Sequence, residues 1–306
     1  MRKFSVFIFS VAFTLASFAQ TFTTDNFTPP YDNITTMIPG ILTGGGTTIT
    51  NSTFFPVNNN VWNRIGHFSD SEINDPLIGF PTGLVMSSGG LSSITGGASG
   101  TSGMLNDTSL ISTLASVGVT NYNIYNTTII EFDFVAQGDY IEFNYVFASK
   151  EYNTWTCGPF YDIFGFYLSG ANPNAPLTDY NQFNMARIPT NLTQTAFTST
   201  PIMVNTINSG TPSPGYVNNP SCPNVNSNYV ADSIFFIPNP VPITTYFAFN
   251  GYTIPLRAFA PVVCDSIYHM KLAIADGGDA AVNMAVFIQE NSFRGPVNLT
   301  FEEEPN

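Results

Sequence analysis

The strongest constraint on the fold is an alternation of side chains in three segments, where every second residue is apolar. In residues 129–135 the even positions are apolar, whereas Glu131 and Asp133 occupy odd positions. Residues 140–148 and 267–275 repeat this two-residue period. Because successive side chains of a β-strand point to opposite faces, the period predicts strands with one face in a core. The side chains expected to face inward are Ile130, Phe132, Phe134, Ile141, Phe143, Tyr145, Phe147, Tyr268, Met270, Leu272 and Ile274, and those expected outward include His269 and Lys271.

The remaining segments favour the same fold class. Residues 162–169 are almost continuously apolar, which is typical of a central strand covered on both faces. Turn formers separate the runs, since the chain contains 24 Gly and 22 Pro. We therefore predict an all-β protein, a jelly-roll-like β-sandwich with long loops. Residues 106–118 predict its one short helix, with Asp107 or Thr108 as the N-cap and Gly118 at the end.

Two segments lack long apolar runs. Residues 87–103 are rich in Gly, Ser and Thr, which predicts a long surface loop. Residues 170–228 contain many Asn and Pro, which predicts either an excursion over the surface or a set of weak edge strands. No boundary divides the middle of the chain. We expect one domain at 35–293, preceded by an extension at 20–34 and followed by a tail at 294–306.

The N-terminus has the pattern of a secretory signal peptide. Arg2 and Lys3 are basic, residues 4–18 are apolar, and Ala19 offers a small residue at the cleavage position. The apolar run is short for the ~20 residues that span a bilayer, so a cleaved signal at 1–19 is favoured over an anchor. No later segment is long and apolar enough to cross a membrane. We therefore expect a secreted or cell-surface protein with no membrane span in its mature chain.

Three cysteines remain after this signal. In an exported protein, Cys157, Cys222 and Cys264 indicate one disulfide and one free thiol. The spacing does not fix the pairing. We favour Cys157 with Cys222, because both lie in loops rich in Gly, Pro and Asn, whereas Cys264 directly precedes a strand.

Charge and composition exclude two classes of protein. The formal net charge is −13, so electrostatic attraction to phosphates cannot bind this chain to a nucleic-acid backbone. Hydrophobic residues make up 43% of the chain, which is too many for a disordered protein. We therefore expect a folded protein with no nucleic-acid partner.

Acidic residues at strand ends form a candidate calcium site. Asp276 and Asp279 flank two glycines just after a predicted strand, and Glu151 and Asp162 lie at other strand–loop junctions. Calcium takes about six to eight oxygen ligands, which loops between strands can supply. The alternative is that Asp276 and Asp279 organise a turn through hydrogen bonds to the backbone.

Catalysis has weaker support. Glu131 and Asp133 share a strand face and could be the carboxyl pair of a carbohydrate-active enzyme. A jelly-roll hydrolase would need a further Glu at the position of Ala136. The chain has two histidines, His67 and His269, and no Gly-x-Ser-x-Gly motif, so a catalytic triad is disfavoured. We expect a non-catalytic protein.

Aromatic residues in one loop are candidates for ligand contact. Tyr152, Trp155, Phe160 and Tyr161 follow one another between two predicted strands. Exposed rings of this kind can stack on sugars or pack on partner proteins, and Trp155 and Tyr161 are the expected contacts. The alternative is that these rings close the open end of the sandwich, because most aromatic residues in β domains belong to the core.

Several segments follow one another along about residues 35–293 in the order of a known domain: Leu42–Gly46, Ile65–Ser69, Gly83–Gly89, Phe143–Tyr152, Cys157–Gly170, His269–Asp279 and Ala285–Phe293. This ordered series of motifs resembles the choice-of-anchor L domain. That family belongs to exported proteins, chiefly of Bacteroidota. The resemblance implies an extracellular, β-rich module of adhesin-like surface proteins, with no activity general to the family. The usual Ser-Glu-Glu-Tyr reads Ser-Lys-Glu-Tyr at residues 149–152, which loses one carboxylate.

These features predict a secreted or cell-surface, adhesin-like and non-catalytic module. We expect calcium to stabilise it and its loops to bind a surface glycan or protein. One alternative is a carbohydrate-active enzyme that uses Glu131 and Asp133. Another is a purely structural spacer within a surface assembly.

Overall fold

The computed structural model describes most of the chain. The described residues are 21–45, 47–56, 61–97, 103–239 and 247–296. The predicted signal peptide at 1–19 lies outside them, as does most of the tail at 294–306. Within the described residues, no helix is long and apolar enough to span a membrane.

The predicted all-β architecture is confirmed, because two antiparallel sheets dominate the structure. In chain order, the strands are β1 (Phe22–Asp25), β2 (Thr47–Pro56), β3 (Ile65–Asp70), β4 (Thr82–Ser87), β5 (Ile124–Ala136), β6 (Tyr140–Ser149), β7 (Ile163–Gly170), β8 (Tyr180–Asn184), β9 (Arg187–Pro189), β10 (Phe197–Pro201), β11 (Phe236–Pro238), β12 (Gly251–Thr253), β13 (Leu256–Pro261), β14 (Ile267–Gly277) and β15 (Met284–Gln289). An eight-stranded sheet has the order β1-β3-β4-β15-β6-β12-β11, and β13 also pairs with β6. A five-stranded sheet has the order β2-β5-β14-β7-β8, and β9 pairs with β10.

The main core lies between the two sheets. Phe143 and Tyr145 of β6 meet Phe166 of β7 edge to face, with ring centroids 4.8 and 4.9 Å apart. Every side chain predicted to face inward is buried. Burial of one such side chain contributes roughly 1.5–3 kcal/mol to folding. The two-residue period is therefore explained by sheets that bury one face each against the other.

The expectation of one helix is wrong in number, since the described residues contain three short α-helices: α1 (Ile34–Leu42), α2 (Thr108–Ser116) and α3 (Cys222–Val225). Helix α2 is the predicted one, and the Asp107 side chain caps it by accepting from the Ser109 and Leu110 amides. It covers the outer face of the five-stranded sheet, where Leu110 and Leu114 are buried. Lys271, predicted to point outward, does leave the main core but is buried beneath this helix.

The loop-rich segments are more ordered than their composition indicates. Residues 170–228 contain the edge strand β8, the β9–β10 hairpin and α3. Of the two alternatives for this segment, weak edge strands therefore describe it better than an excursion over the surface. The expected surface loop at 87–103 contains a 3-10 helix at Leu91–Thr95. Its Leu91 and Ile94 side chains are buried against the outer face of the larger sheet.

Candidate functional site

The loop between β6 and β7, residues 150–162, is fixed by a second segment of the chain. Cys157 and Cys222 form a disulfide with their Cα atoms 4.8 Å apart, which confirms the favoured pairing. Cys264 is free and exposed. The buried Asn205 side chain donates hydrogen bonds to two backbone carbonyls of the loop. These bonds give the loop a defined shape, although it joins two strands of different sheets.

Three of the four acids predicted to bind calcium lie together at the ends of this loop. Glu151 follows β6, Asp162 precedes β7, and Asp276 lies near the end of β14, the neighbour of β7. Their side chains are buried, with 3%, 1% and 1% of each residue exposed, respectively. We call these three residues the carboxyl cluster. The fold thus brings together acids that are far apart in the sequence.

A glycine allows the close approach between the loop and β14. The Gly277 amide donates to Asp162 Oδ1 at 3.1 Å. The Tyr161 amide in turn donates to the Gly277 carbonyl at 3.2 Å. A Cβ atom on Gly277 would overlap the Tyr161 carbonyl oxygen. Gly277 therefore permits close backbone packing between the loop and β14.

Burial and mutual repulsion make the carboxyl cluster hard to ionise. Burial is the main reason that the pKa of Glu151 and that of Asp162 lie well above their ordinary values, and neighbouring acids add to both. Burial raises the pKa of Asp276 to about 7, while the Arg64 charge opposes the rise. At neutral pH the cluster therefore favours bound protons or a bound cation over three free charges.

Two oxygens of the carboxyl cluster have no hydrogen-bond partner among the described residues. They are Glu151 Oε2 and Asp276 Oδ1, and both are buried. The other oxygen of Asp276 accepts from Asn126 Nδ2 at 2.6 Å. A buried acceptor that lacks a donor costs about 1–3 kcal/mol. These two oxygens are therefore able to accept a hydrogen bond or to coordinate a cation.

The fourth predicted acid, Asp279, has a different environment. It is half-buried in the turn after β14, and its Oδ1 accepts from the Ala281 amide at 2.9 Å. Through this bond Asp279 organises the turn, which is the alternative to calcium binding in the sequence analysis. Its charge still raises the pKa of all three cluster acids. In the described part of the chain, no three Asp, Glu, His or Cys side chains already adopt the arrangement of a metal site.

Two polar residues beside the cluster escaped the sequence analysis. Arg64 is 2% exposed, and its guanidinium donates to the Asn126 carbonyl at 2.8 Å. The Asn126 side chain is itself bonded to Asp276. Arginine is seldom fully buried in proteins, and this chain has only 8 Lys and Arg residues in all. The sequence places Arg64 directly before β3, but no local pattern indicates that it would be buried.

The loop aromatics divide into buried and exposed groups. Tyr152 is fully buried, and its hydroxyl donates to the Ile207 carbonyl at 2.9 Å. Trp155 is 36% exposed and packs edge to face on Phe160, with centroids 5.2 Å apart. Tyr161 is half-buried. Tyr152 therefore fills the end of the sandwich, whereas Trp155 keeps part of its ring in solvent.

Asp133, one carboxyl group of the pair considered for glycoside hydrolysis, is engaged elsewhere. Asp133 accepts from Asn51 Nδ2 and contacts His269 Nδ1, each at 2.9 Å. These hydrogen bonds lower the pKa of Asp133. A general acid for glycoside cleavage needs a raised pKa instead. Asp133 therefore does not have the environment of a catalytic acid. Glu131 lies directly across from Lys271 in the adjacent strand.

Comparisons with known proteins give one informative match. A family model described as the choice-of-anchor L domain matches residues 23–294. This confirms the resemblance found in the ordered sequence motifs, over almost the whole chain. No curated protein and no solved structure matches the chain significantly.

Proposed function

We propose a function from the premise that this chain belongs to the choice-of-anchor L domain family. Membership indicates a surface-associated, non-catalytic module. We propose further that the chain is exported by its N-terminal signal and acts as an adhesin-like module. In this proposal the β6–β7 loop binds a surface glycan or protein.

The observation that carries this proposal is a fixed loop that presents an aromatic ring. The disulfide and the Asn205 hydrogen bonds hold the loop in one shape before any ligand arrives. A binding surface that is ordered in advance loses less entropy on association. Trp155 stands on this loop with 36% of its surface exposed, supported by Phe160 and Tyr216. Tyr161, on the same loop, is the second proposed contact.

We also propose that a calcium ion binds at the carboxyl cluster and stabilises the ends of the β6–β7 loop. The cluster fits such an ion in charge, and Glu151 Oε2 and Asp276 Oδ1 are buried acceptors without donors. Calcium also accepts carbonyl, amide and water oxygens, so it does not require every ligand to be an acid. In this proposal Glu151, Asp162 and Asp276 hold the ion directly, and Asp279 binds at its outer side. The ion would neutralise charges that otherwise repel one another.

A binding experiment with two matched variants tests the role of the loop. The mature protein is applied to a panel of immobilised neutral and acidic polysaccharides and to intact bacterial cells. Trp155→Ala should weaken retention at least several-fold. The control Leu177→Ala removes an apolar side chain that is 101% exposed, and it should have no effect.

Each alternative function has its own outcome in this experiment. Retention that is equal in both variants would overturn the role of Trp155. No retention on any surface would favour a structural spacer. Release of reducing ends from a polysaccharide, lost in Glu131→Gln, would favour an enzyme.

A further inference from the structure

A second recessed site lies beneath helix α2. It is a cleft of about 320 Å³ between α2, strand β8 and the β9–β10 hairpin. Small-molecule sites begin at roughly this size. Most of the residues that line it are serine, threonine, asparagine or glutamine. Such walls suit a ligand that is itself rich in hydroxyl groups.

Arg187 is the one basic side chain that lines this cleft. Its guanidinium lies over the Phe183 ring at 4.4 Å and near the Phe197 ring at 5.8 Å. Among the described residues it takes part in no ion pair, and its Nε is buried without an acceptor. The ionisable groups that act on its pKa are Tyr145 and Tyr180, which carry no charge at neutral pH. An arginine keeps its charge under these conditions.

Three other cations of the described residues are neutralised by acidic side chains, whereas Arg187 is not. Arg257 and Arg294 both pair with Glu142, and Lys271 pairs with Asp107. The whole chain has 21 acidic residues against 8 basic ones. An unpaired guanidinium in so acidic a protein is therefore available for an anion from outside the chain.

A second donor in the same cleft also lacks an acceptor. The Nδ2 atom of Asn184 is buried without a partner among the described residues. Its Oδ1 accepts from the Phe166 and Ala186 amides, at 3.1 and 2.9 Å. These two bonds fix the orientation of the side-chain amide, so rotation cannot exchange its oxygen and nitrogen. Asn184 and Arg187 thus leave two buried donors, on residues that line one cleft, without acceptors.

We infer that this cleft binds an anionic sugar unit of a polysaccharide. The carboxylate or sulfate of the sugar pairs with Arg187, and Asn184 donates to an oxygen of the ligand. Hydroxyls of Ser112, Ser116 and Ser199 at the cleft wall contact the ring hydroxyls. This inference rests on the proposed glycan-binding function and names a site distinct from Trp155.

Calorimetric titration of the mature protein with three sugar series tests the inference. The probes are oligogalacturonates, sulfated galactose oligomers and neutral galactose oligomers of equal length. We expect one of the acidic series to bind at least tenfold more tightly than the neutral series. Arg187→Gln should remove this preference, and added salt should weaken binding to the wild type. Arg294→Gln, a change at an exposed arginine outside the cleft, should leave it intact.

A second variant guards against a folding defect in Arg187→Gln. Ser116→Phe fills the cleft from an exposed helix position and should also abolish binding of the acidic series. Equal affinity for acidic and neutral oligomers, or no binding of either, would overturn the inference. Binding of the acidic series that is lost in Trp155→Ala but unchanged in Arg187→Gln would also overturn it. That last result would leave the loop proposal standing.

Discussion

Glu151 lies just after β6 of the larger sheet and Asp276 lies in β14 of the smaller one, yet the charge of Asp276 raises the pKa of Glu151. Together with Asp162, they place three carboxyl groups in the interior at one point of the sandwich. The stability of the folded protein therefore depends on how the negative charges of these carboxyl groups are neutralised. Protons and calcium are competing ways to do so.

The metal-free protein should lose stability as the pH rises. The pKa of Asp276 is about 7 in the folded state, against an ordinary value of 3.8. The folded state therefore binds more protons than the unfolded state between about pH 4 and pH 7. The contribution of the cluster to stability is largest below this window and is lost across it. Urea unfolding in chelator at acidic and at mildly alkaline pH measures the change, and a more stable alkaline form would contradict it.

Calcium should reverse the alkaline loss of stability. In buffer near neutral pH, calcium should raise the melting temperature of the chelator-treated protein by roughly 5 °C or more. Asp276→Asn should abolish most of this rise. The same variant should be at least as stable as the wild type in chelator, because it removes a repelling charge. Asp75→Asn, at an exposed position, is the control, and an equal calcium response in both variants would count against the site.

The disulfide should contribute substantially to stability. It closes a loop with a sequence separation of 65 residues. Without the bridge the unfolded chain gains entropy. The free energy of unfolding of the double variant Cys157→Ser with Cys222→Ser should therefore be about 4 kcal/mol lower than that of the wild type. Cys264→Ser changes the exposed free thiol and should have no measurable effect on stability. Chemical denaturation of the three proteins would compare them, and similar midpoints would show that the bridge does not constrain the chain.

Two buried tyrosines should respond in opposite ways to loss of the hydroxyl group. Tyr145 is fully buried and its hydroxyl has no hydrogen-bond partner among the described residues. Tyr145→Phe should therefore be neutral or stabilising. Tyr152 is equally buried, but its hydroxyl donates to the Ile207 carbonyl. Tyr152→Phe should cost about 1–2 kcal/mol, since that carbonyl loses its donor. Unfolding midpoints that rank the two variants the other way would contradict this account.

The faces of the long strands could be predicted from the sequence because a strand repeats every two residues. Phe132 and Met270 were assigned to the core on that basis, and both are buried. Lys271 follows the same period onto the outer face, but helix α2 covers it there. Its partner Asp107 is distant in the sequence, and no local pattern connects the two. Helix α1 was missed because Pro39 lies inside it and usually breaks a helix.

The candidate sites differ in how far the sequence reveals them. Glu151, Asp162 and Asp276 each stand at a strand end, so local reasoning could select them as candidates. Their mutual approach depends on sheet order, which the sequence does not state. The cleft around Arg187 is assembled from residues of four strands and a helix, and these residues form no sequence motif.

If the chain is exported as proposed, the bridge between Cys157 and Cys222 would also set the timing of assembly. Thiols remain reduced in the cytosol, whereas exported proteins meet oxidising conditions. A precursor still inside the cell would therefore carry an unlocked β6–β7 segment. In the proposed function, the β6–β7 loop would reach its final shape only after translocation, so the binding surface would be completed outside the cytosol.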